Sequence, residues 1–224
     1  MQATLTPCLL NNELNELVDQ LPDKIRHRYQ KDDYVFLNQQ QPHLYLLCRG
    51  RVKIGSYLPN GKVVISDLLH PGDLFGEVAT SLYQANSFAQ VADDVTEVVI
   101  FALEELAELP DALQAYLFRT MNQRIRRLAH QLECVAGRTV PYRVVDLLCR
   151  LAREQGKKVG METIIHHAIT HSDIAMLIGT SRQTVSGILA KLRQKNIINY
   201  NRQRILIRNL SQLEDINQRE QLAI

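Results

Sequence analysis

Polar side chains of the kind that contact nucleic-acid bases lie together near the carboxyl end of this 224-residue chain, within residues 169–193. When the segment is read with a helical period, the residues left facing outward are Arg182, Gln183, Thr184, Ser186 and Gly187. Their side chains have the length and polarity to contact base edges and phosphates in a DNA major groove. An ordinary helical hairpin with a solvated polar face is the alternative interpretation.

The residues around this polar face predict two short helices joined by a tight turn. Thr170 is a favourable N-cap for the first helix, and Asp173 places a negative charge in its first turn. Gly179 allows a left-handed turn, and Thr180 or Ser181 caps the second helix. The apolar residues that recur at helical spacing, and are predicted to be buried, are Ile174, Ala175, Leu177, Ile178, Val185, Ile188, Leu189 and Leu192. This is the layout of a helix-turn-helix.

A predicted β-hairpin follows the two helices and would make the motif a winged one. Residues 197–208 read as two strands around residues 201–203, with Arg202 and Arg204 at the tip, where they can contact a DNA backbone. Other predicted DNA contacts are helix-start residues suited to phosphates, together with one lysine of the second helix: Thr170, His171, Thr180, Ser181 and Lys191.

The formal net charge of +2 hides an uneven distribution along the chain. Residues 1–137 contain 12 Lys and Arg against 17 Asp and Glu, whereas residues 138–224 contain 14 against 7. The basic part is the part that carries the helix-turn-helix, as neutralisation of DNA phosphates requires.

The acidic part has a different pattern, in which short apolar or alternating stretches are separated by turn residues. Residues 34–101 therefore predict an all-β sandwich or barrel, with a hairpin at Asn60-Gly61. Residues 7–28 predict short amphipathic helices before it. In the basic part, residues 156–160 predict a loop and residues 163–169 a strand.

Pro110-Asp111 begins one long predicted helix, which Gly137 ends. Six apolar residues recur along it at alternating steps of three and four: Phe118, Met121, Ile125, Leu128, Leu132 and Val135. Such a narrow seam is typical of a coiled coil and favours pairing with the same helix of a second copy. A helix packed on the barrel is the alternative.

The order of these parts, and several short motifs, resemble one known family. The matching pieces are residues 48–53 (CRGRVK), the spacing of Gly50, Gly61 and Gly72, residues 71–77 (PGDLFGE) and residues 181–185 (SRQTV). Over nearly its whole length the chain resembles the cyclic-AMP receptor protein/fumarate-nitrate regulator (CRP/FNR) family of bacterial transcription regulators. The resemblance implies an α+β fold with a cyclic-nucleotide-binding-like β-barrel (jelly roll) at 1–109, a dimerisation helix at 110–137 and a winged helix-turn-helix at 138–224.

The resemblance also implies partners. A member of this family is a cytoplasmic homodimer that binds a palindromic site in double-stranded DNA, with its recognition helices about 34 Å apart, and acts with RNA polymerase, for instance as an activator. Arg182 matches the base-reading arginine of the family and is expected to bind a guanine. Gln183 replaces a common acidic residue and is expected to favour adenine or to act through water, and Gly187 stands where many members have a second arginine.

In this family an effector binds a phosphate cassette in the β-barrel. The residues that the resemblance assigns to it here are Gly76, Glu77, Val78, Ala79, Asn86 and Ser87. Cyclic-nucleotide binders have an Arg-Ser or Arg-Thr pair where this chain has Asn86-Ser87, so a bound phosphate would lack its cation. The Thr-Ser pair that holds adenine is also missing, since the nearest residues are Ala129, His130 and Gln131. We therefore expect a small effector other than cyclic AMP or none; a cyclic-nucleotide-responsive sensor is the alternative.

Other classes of protein are disfavoured. Four scattered cysteines without a CxxC pair predict reduced thiols and neither an iron–sulfur nor a metal site. His166 and His167 would point to opposite faces of a strand, so they cannot chelate one ion. No catalytic constellation, apolar membrane span or secretory signal is apparent, so we expect neither an enzyme nor a membrane partner.

Overall fold

The chain forms two compact units, residues 1–128 and residues 129–224. The structure is a computed structural model. It describes residues 14, 16–19, 21, 26–37, 43–76, 86–102, 104–166, 169–201 and 204–218.

The first unit contains eight described strands in two antiparallel sheets. The strands are β1 (Arg26–Tyr29), β2 (Tyr34–Leu37), β3 (His43–Arg49), β4 (Val52–Tyr57), β5 (Val63–Leu69), β6 (Leu74–Gly76), β7 (Ser87–Val91) and β8 (Thr96–Ala102). One sheet has the order β1-β8-β3-β6 and the other the order β2-β7-β4-β5. This confirms the predicted all-β architecture of residues 34–101.

Strand β3 is buried on both faces, and this arranges the core of the first unit in two layers. Tyr45 and Leu47 point into a cluster that contains residues of both sheets. Leu44 and Leu46 point the other way, into a second cluster that also contains helical residues, Tyr116 among them. Because side chains alternate along a strand, one apolar run serves both layers.

Two local expectations for the first unit can be compared with the structure. The hairpin at Asn60-Gly61 is confirmed, since Leu58 N–H donates to Lys62 O at 2.8 Å and joins β4 to β5. The helical prediction for residues 7–28 is wrong at its end, because residues 26–28 belong to strand β1, which pairs with β8. An exposed edge strand of polar residues leaves no apolar alternation to detect. Most of the rest of that prediction lies outside the described residues.

A long helix, α1 (Asp111–Gly137), follows a 3-10 helix at Glu104–Glu108. Its early turns bury Leu113, Tyr116 and Leu117 in the first unit. Further along, two arginines of α1 pair with buried carboxylates of the barrel: Arg124 Nε lies 2.9 Å from Asp67 Oδ2, and Arg127 Nη2 lies 2.6 Å from Asp73 Oδ1. One face of α1 therefore packs on the barrel, as the alternative interpretation of this helix proposed.

The second unit combines helices with a small sheet. Its elements are α2 (Val140–Gln155), β9 (Lys157–Val159), β10 (Glu162–His166), α3 (His171–Ile178), α4 (Arg182–Gln194), β11 (Ile198–Tyr200), β12 (Arg204–Ile207) and α5 (Leu210–Gln218). The sheet has the order β11-β12-β10-β9 and is antiparallel. The helix-turn-helix and the following hairpin are thus confirmed as structure.

Two corrections concern the residues before α3. Residues 156–160, predicted as a loop, contain β9, which pairs with β10. Since all three residues of β9 are exposed and two of them are lysines, it has no apolar pattern that would reveal a strand. Strand β10 ends at His166, earlier than the predicted Ile169, and residues 167–168 lie outside the described part of the chain. None of the described helices is long and apolar enough to span a bilayer.

Candidate nucleic-acid interface

The turn between α3 and α4 is defined by caps at three points. Thr170 and Asp173 form a capping box at the start of α3, with Asp173 N–H donating to Thr170 Oγ1 at 3.1 Å. Gly179 ends α3 in the left-handed conformation, with φ 67° and ψ 54°. Ser181 caps α4 by accepting from Thr184 N–H at 3.1 Å. Of the two candidates for this second cap, Ser181 is therefore the correct one.

Two side chains from outside the motif hold the carboxyl end of α3. Arg143 on α2 donates to Ile178 O at 2.7 Å, and Gln131 on α1 donates to Leu177 O at 2.9 Å. The last carbonyls of a helix lack intrahelical partners and carry partial negative charge, which suits a guanidinium. These two contacts support the helix pair. Sequence patterns missed them, because a side chain that bonds to a distant carbonyl leaves no periodic signal.

Helix α4 has one apolar and one polar face, as its periodicity predicts. Val185, Ile188, Leu189 and Leu192 are buried. On the opposite face the exposed side chains near the start of α4 are those of Arg182, Gln183 and Thr184, and Lys191 is exposed further along. Gly187 lies on the same face, and a Cβ added to it would meet nothing within 4 Å.

Ser186 departs from this description because it is half-buried and bound to His171. His171 Nδ1 lies 2.9 Å from Ser186 Oγ, and the His171 ring meets the Tyr200 ring edge-on at a centroid distance of 5.3 Å. Burial, followed by the nearby charge of Arg182, lowers the pKa of His171 below its ordinary value. The imidazole is therefore neutral near pH 7.

The start of α3, the start of α4 and the hairpin β11–β12 border one cleft of about 670 Å³. Polar residues that line it include Thr170, Ser172 and Asn201, in addition to His171 and Arg182. Arg193 lies over the Tyr200 ring, with its guanidinium carbon 5.5 Å from the centroid. Sequence reasoning did not identify Tyr200, although an aromatic residue beside a predicted wing is a detectable signal.

Two cations of this face have no counter-ion among the residues that the structure describes. Within the described part of the chain, neither Arg182 nor Lys191 forms an ion pair. At the hairpin, Arg204 is exposed and its N–H donates to Asn201 Oδ1 at 3.0 Å. Arg202, the other predicted contact of the tip, lies outside the described residues. Exposed cations among polar side chains, with no counter-ion in the described part of the chain, suit a polyanion such as DNA.

The second predicted site, the cassette of the β-barrel, is described only in part. Glu77, Val78 and Ala79 lie outside the described residues. Gly76 has φ +104°, and a Cβ there would lie 2.3 Å from His43 O, so the backbone needs glycine. Asn86 is exposed and Ser87 is buried. The roles of these residues in effector binding stay a prediction.

The predicted seam of α1 is largely uncovered in the single chain. Leu128 is half-buried, and the others are exposed to the following extents: Phe118 71%, Met121 42%, Ile125 60%, Leu132 70% and Val135 45%. Exposed apolar side chains in a continuous stripe mark a surface that binds another protein element.

Comparison with protein families gives two matches. Residues 26–112 match the cyclic nucleotide-binding domain, and residues 142–216 match the Crp-like helix-turn-helix domain. Among curated proteins, a CRP-like cAMP-activated global transcriptional regulator of Mycobacterium tuberculosis is 30% identical over 176 residues, covering 76% of this chain and 77% of that protein. A global nitrogen regulator of Synechococcus elongatus is 26% identical over 195 residues, covering 84% and 87%.

Solved structures with the same fold are also found. A variant of CooA from Carboxydothermus hydrogenoformans superposes with a TM-score of 0.72 at 20% identity, covering 97% of each chain. FixK2 from Bradyrhizobium japonicum gives a TM-score of 0.71 at 20% identity, covering 86% of this chain and 96% of that one. At these identities the structural likeness concerns the fold.

Proposed function

Because the chain belongs to the CRP/FNR family of transcription regulators, we propose that it binds a palindromic operator as a homodimer, with α4 of each subunit in a major groove. The family assignment, the α+β fold and the prediction of a DNA-binding regulator rather than an enzyme are confirmed.

The observation that carries this proposal is the outward face of α4. Arg182, Gln183 and Thr184 are exposed at its start, where a recognition helix contacts base edges. We assign base contacts to these three residues, with Arg182 donating to a guanine. We assign phosphate contacts to residues at the helix starts, on α4 and on the hairpin: Thr170, His171, Thr180, Ser181, Ser186, Lys191 and Arg202.

The homodimer is supported by the exposed seam of α1. In a second copy the same stripe supplies apolar side chains at matching heights, so a parallel pair buries both stripes. A parallel pair brings the carboxyl ends of both α1 helices together, and the DNA-binding parts of both copies continue from there, which suits two half-sites one helical turn apart. This assigns the seam to dimerisation and the adjacent face of α1, which carries Leu117 and Arg124, to the barrel.

For the effector we propose a small molecule other than cyclic AMP, or no effector. The cyclic nucleotide-binding domain is present. A cyclic phosphate needs a cation, and the position that the family fills with arginine is Asn86. The arginines that α1 brings to the barrel, Arg124 and Arg127, already pair with Asp67 and Asp73. A regulator of this kind works where the chromosome and RNA polymerase are, so we place it in the cytoplasm, with polymerase as a partner.

The test of DNA reading is selection of duplexes from a random library, followed by affinity measurements at several salt concentrations. The wild type should enrich a two-fold symmetric sequence. Arg182→Ala should lose about 1–3 kcal/mol of specific binding and relax one base position in each half-site. Arg49→Ala, which removes an exposed arginine of β3, is the matched control. It should change neither the affinity for the selected sequence nor the base preference. Selection of no sequence over random competitor would refute the proposal.

The effector proposal has a separate test. Isothermal titration of the full chain with cyclic AMP should give no binding heat at micromolar concentrations. A saturable heat would instead support the alternative, a cyclic-nucleotide-responsive sensor, and would show that Asn86 is compatible with a bound phosphate.

A further inference from the structure

Three side chains of different chemical type meet between the end of α1 and the first half of α2. His130 Nε2 lies 3.0 Å from Asp146 Oδ2 and 3.5 Å from Cys134 Sγ, and the Cys134 Sγ to Asp146 Oδ2 distance is 4.0 Å. His130 and Cys134 are four residues apart on α1, so they share one helix face. His130 is two residues, or about 200° of helix rotation, from Leu128 of the seam. The cluster is therefore separate from the dimerisation stripe.

The distances between the three donor atoms are close to those between the ligand atoms of a tetrahedral zinc site. Zinc bonds of about 2.3 Å to sulfur and about 2.0–2.1 Å to nitrogen and oxygen place a nitrogen and an oxygen about 3.3 Å apart. The same bonds place the sulfur about 3.6 Å from either atom. The three observed distances differ from these values by about 0.1–0.4 Å, which small side-chain rotations accommodate.

Burial of the cluster also suits an ion. Cys134 is buried, the Asp146 side chain is 21% exposed, and the His130 side chain is 49% exposed. An ion can thus enter past the imidazole, and water can occupy a fourth position. A donor set of imidazole, thiolate and carboxylate favours zinc over magnesium or calcium.

We propose that His130 Nε2, Cys134 Sγ and Asp146 Oδ2 bind one Zn²⁺ ion, with water as the fourth ligand. The ion joins the last turns of α1 to α2 across residues 138–139. Its ligands adjoin the side chains that hold the end of α3, since Gln131 follows His130 and Arg143 lies three residues before Asp146. The prediction of no metal site considered the spacing of the cysteines and the pair His166 and His167, whereas this cluster uses one cysteine with a histidine on the same helix face.

Binding includes one proton transfer. A cysteine thiol has an ordinary pKa of about 8.5, so without metal it is mostly protonated near pH 7. The ion binds the thiolate, and the thiol proton passes to solvent, one for each ion bound. To bind the metal through Nε2, the imidazole gives up its contact with Asp146 and carries its proton on Nδ1, which leaves the Nε2 lone pair for the ion.

The experiment uses the reduced, metal-free full chain, titrated with zinc chloride in competition with a chromophoric chelator. We expect one Zn²⁺ per chain and release of about one proton per ion. Cobalt chloride should give a thiolate-to-cobalt charge-transfer band. Cys134→Ser should abolish that band, and His130→Asn and Asp146→Asn should each weaken binding by about 100-fold or more, at least as much as loss of an outer-shell partner.

Matched controls keep the result interpretable. Cys149→Ala removes a buried thiol on α2, and His166→Asn removes an exposed imidazole on β10. Both variants should bind zinc like the wild type. Thermal unfolding without metal verifies that each variant folds, and zinc should raise the melting temperature only where the three ligands are intact. If Cys134→Ser fails to fold, the two variants at partly exposed positions decide. Absence of saturable one-to-one binding, or unchanged binding in His130→Asn and Asp146→Asn, would overturn the proposal.

Discussion

Helices α1 and α4 each have one face that the chain buries and one that it leaves uncovered, but the uncovered faces differ in chemistry. On α1 the arginines near the barrel pair with carboxylates, and the uncovered stripe is apolar. On α4 the apolar residues are buried, and the uncovered side chains are polar and cationic. An uncovered apolar stripe suits a protein surface, whereas uncovered cations suit an anionic polymer.

The contrast between α1 and α4 is clearest in their arginines. Asp67 is 1% exposed and accepts from Arg124, so this ion pair is part of the folded structure. Arg182 is exposed and, among the described residues, has no carboxylate partner. A cation that is paired within the protein belongs to the folded structure, and its loss lowers the stability of the protein. A cation that is left exposed is available to a ligand.

The largest expected effect comes from charging the uncovered stripe of α1. Leu128→Asp should produce monomers, because a carboxylate would be buried in the coiled coil. Affinity for a two-half-site operator should fall by about 10²–10⁴-fold, since the second half-site no longer binds intramolecularly. Sedimentation velocity and DNA titration measure both effects. Gln123→Asp adds the same charge at an exposed position off the stripe; its behaviour should match the wild type, and a dimeric Leu128→Asp protein would refute the assignment of the seam.

A second pair of substitutions removes one cation from α1 and one from α4. Arg124→Met should cost about 3 kcal/mol of unfolding free energy, because the buried Asp67 carboxylate loses its partner. Lys191→Met should change stability by less than about 0.5 kcal/mol and reduce the salt dependence of DNA binding by about one charge. Chemical unfolding and salt titrations measure these quantities.

The double variant Asp67→Leu/Arg124→Met tests the reason for the first result. Removal of both charges should recover most of the stability, as for other buried pairs replaced by apolar residues. Equal stability losses in Arg124→Met and Lys191→Met would contradict the distinction between paired and available cations.

A smaller effect concerns pH and the neutral His171 at the edge of the polar face. Contact with a DNA phosphate favours the imidazolium, so DNA binding takes up a proton, and affinity should rise about 3–10-fold as the pH falls from about 8 to about 6. His171→Gln should flatten this profile, and His166→Gln, at an exposed position of β10, should not.

The effect of pH on folding has the opposite sign. Because the folded-state pKa of His171 lies below its ordinary value, its contribution to stability is present above about pH 6.5 and is lost as the pH falls through the folded-state pKa. Circular dichroism at each pH therefore accompanies the binding curves. A pH slope that persists in His171→Gln would remove His171 from the phosphate contacts.

Local patterns predicted much of this molecule. The caps at Thr170 and Ser181, the turn at Gly179 and the buried face of α4 all depend on residues close in sequence, so periodicity and capping preferences detect them. Strands β1 and β9 escaped detection because pairing with a distant strand, rather than an apolar pattern, defines them.

Contacts between distant residues also limited prediction of the sites. The bond from Arg143 to Ile178 O, the pairing of His171 with Ser186 and the approach of Asp146 to His130 join elements whose relative placement only the fold determines. The spacing His130-x-x-x-Cys134 could have indicated a shared helix face, but the third ligand comes from another helix.

The smallest expected effect tests whether the outward face of α4 is open in the free protein. Gly187→Ala should raise stability by about 0.5–1 kcal/mol, because alanine favours a helix interior and its Cβ meets no atom within 4 Å. Gly179→Ala in the same motif should instead lower stability, since residue 179 needs φ near +67°. Thermal unfolding of the two variants measures the difference. If Gly187→Ala destabilised the chain, other residues would have to cover this part of α4, and a helix covered there could not enter a major groove without first being released.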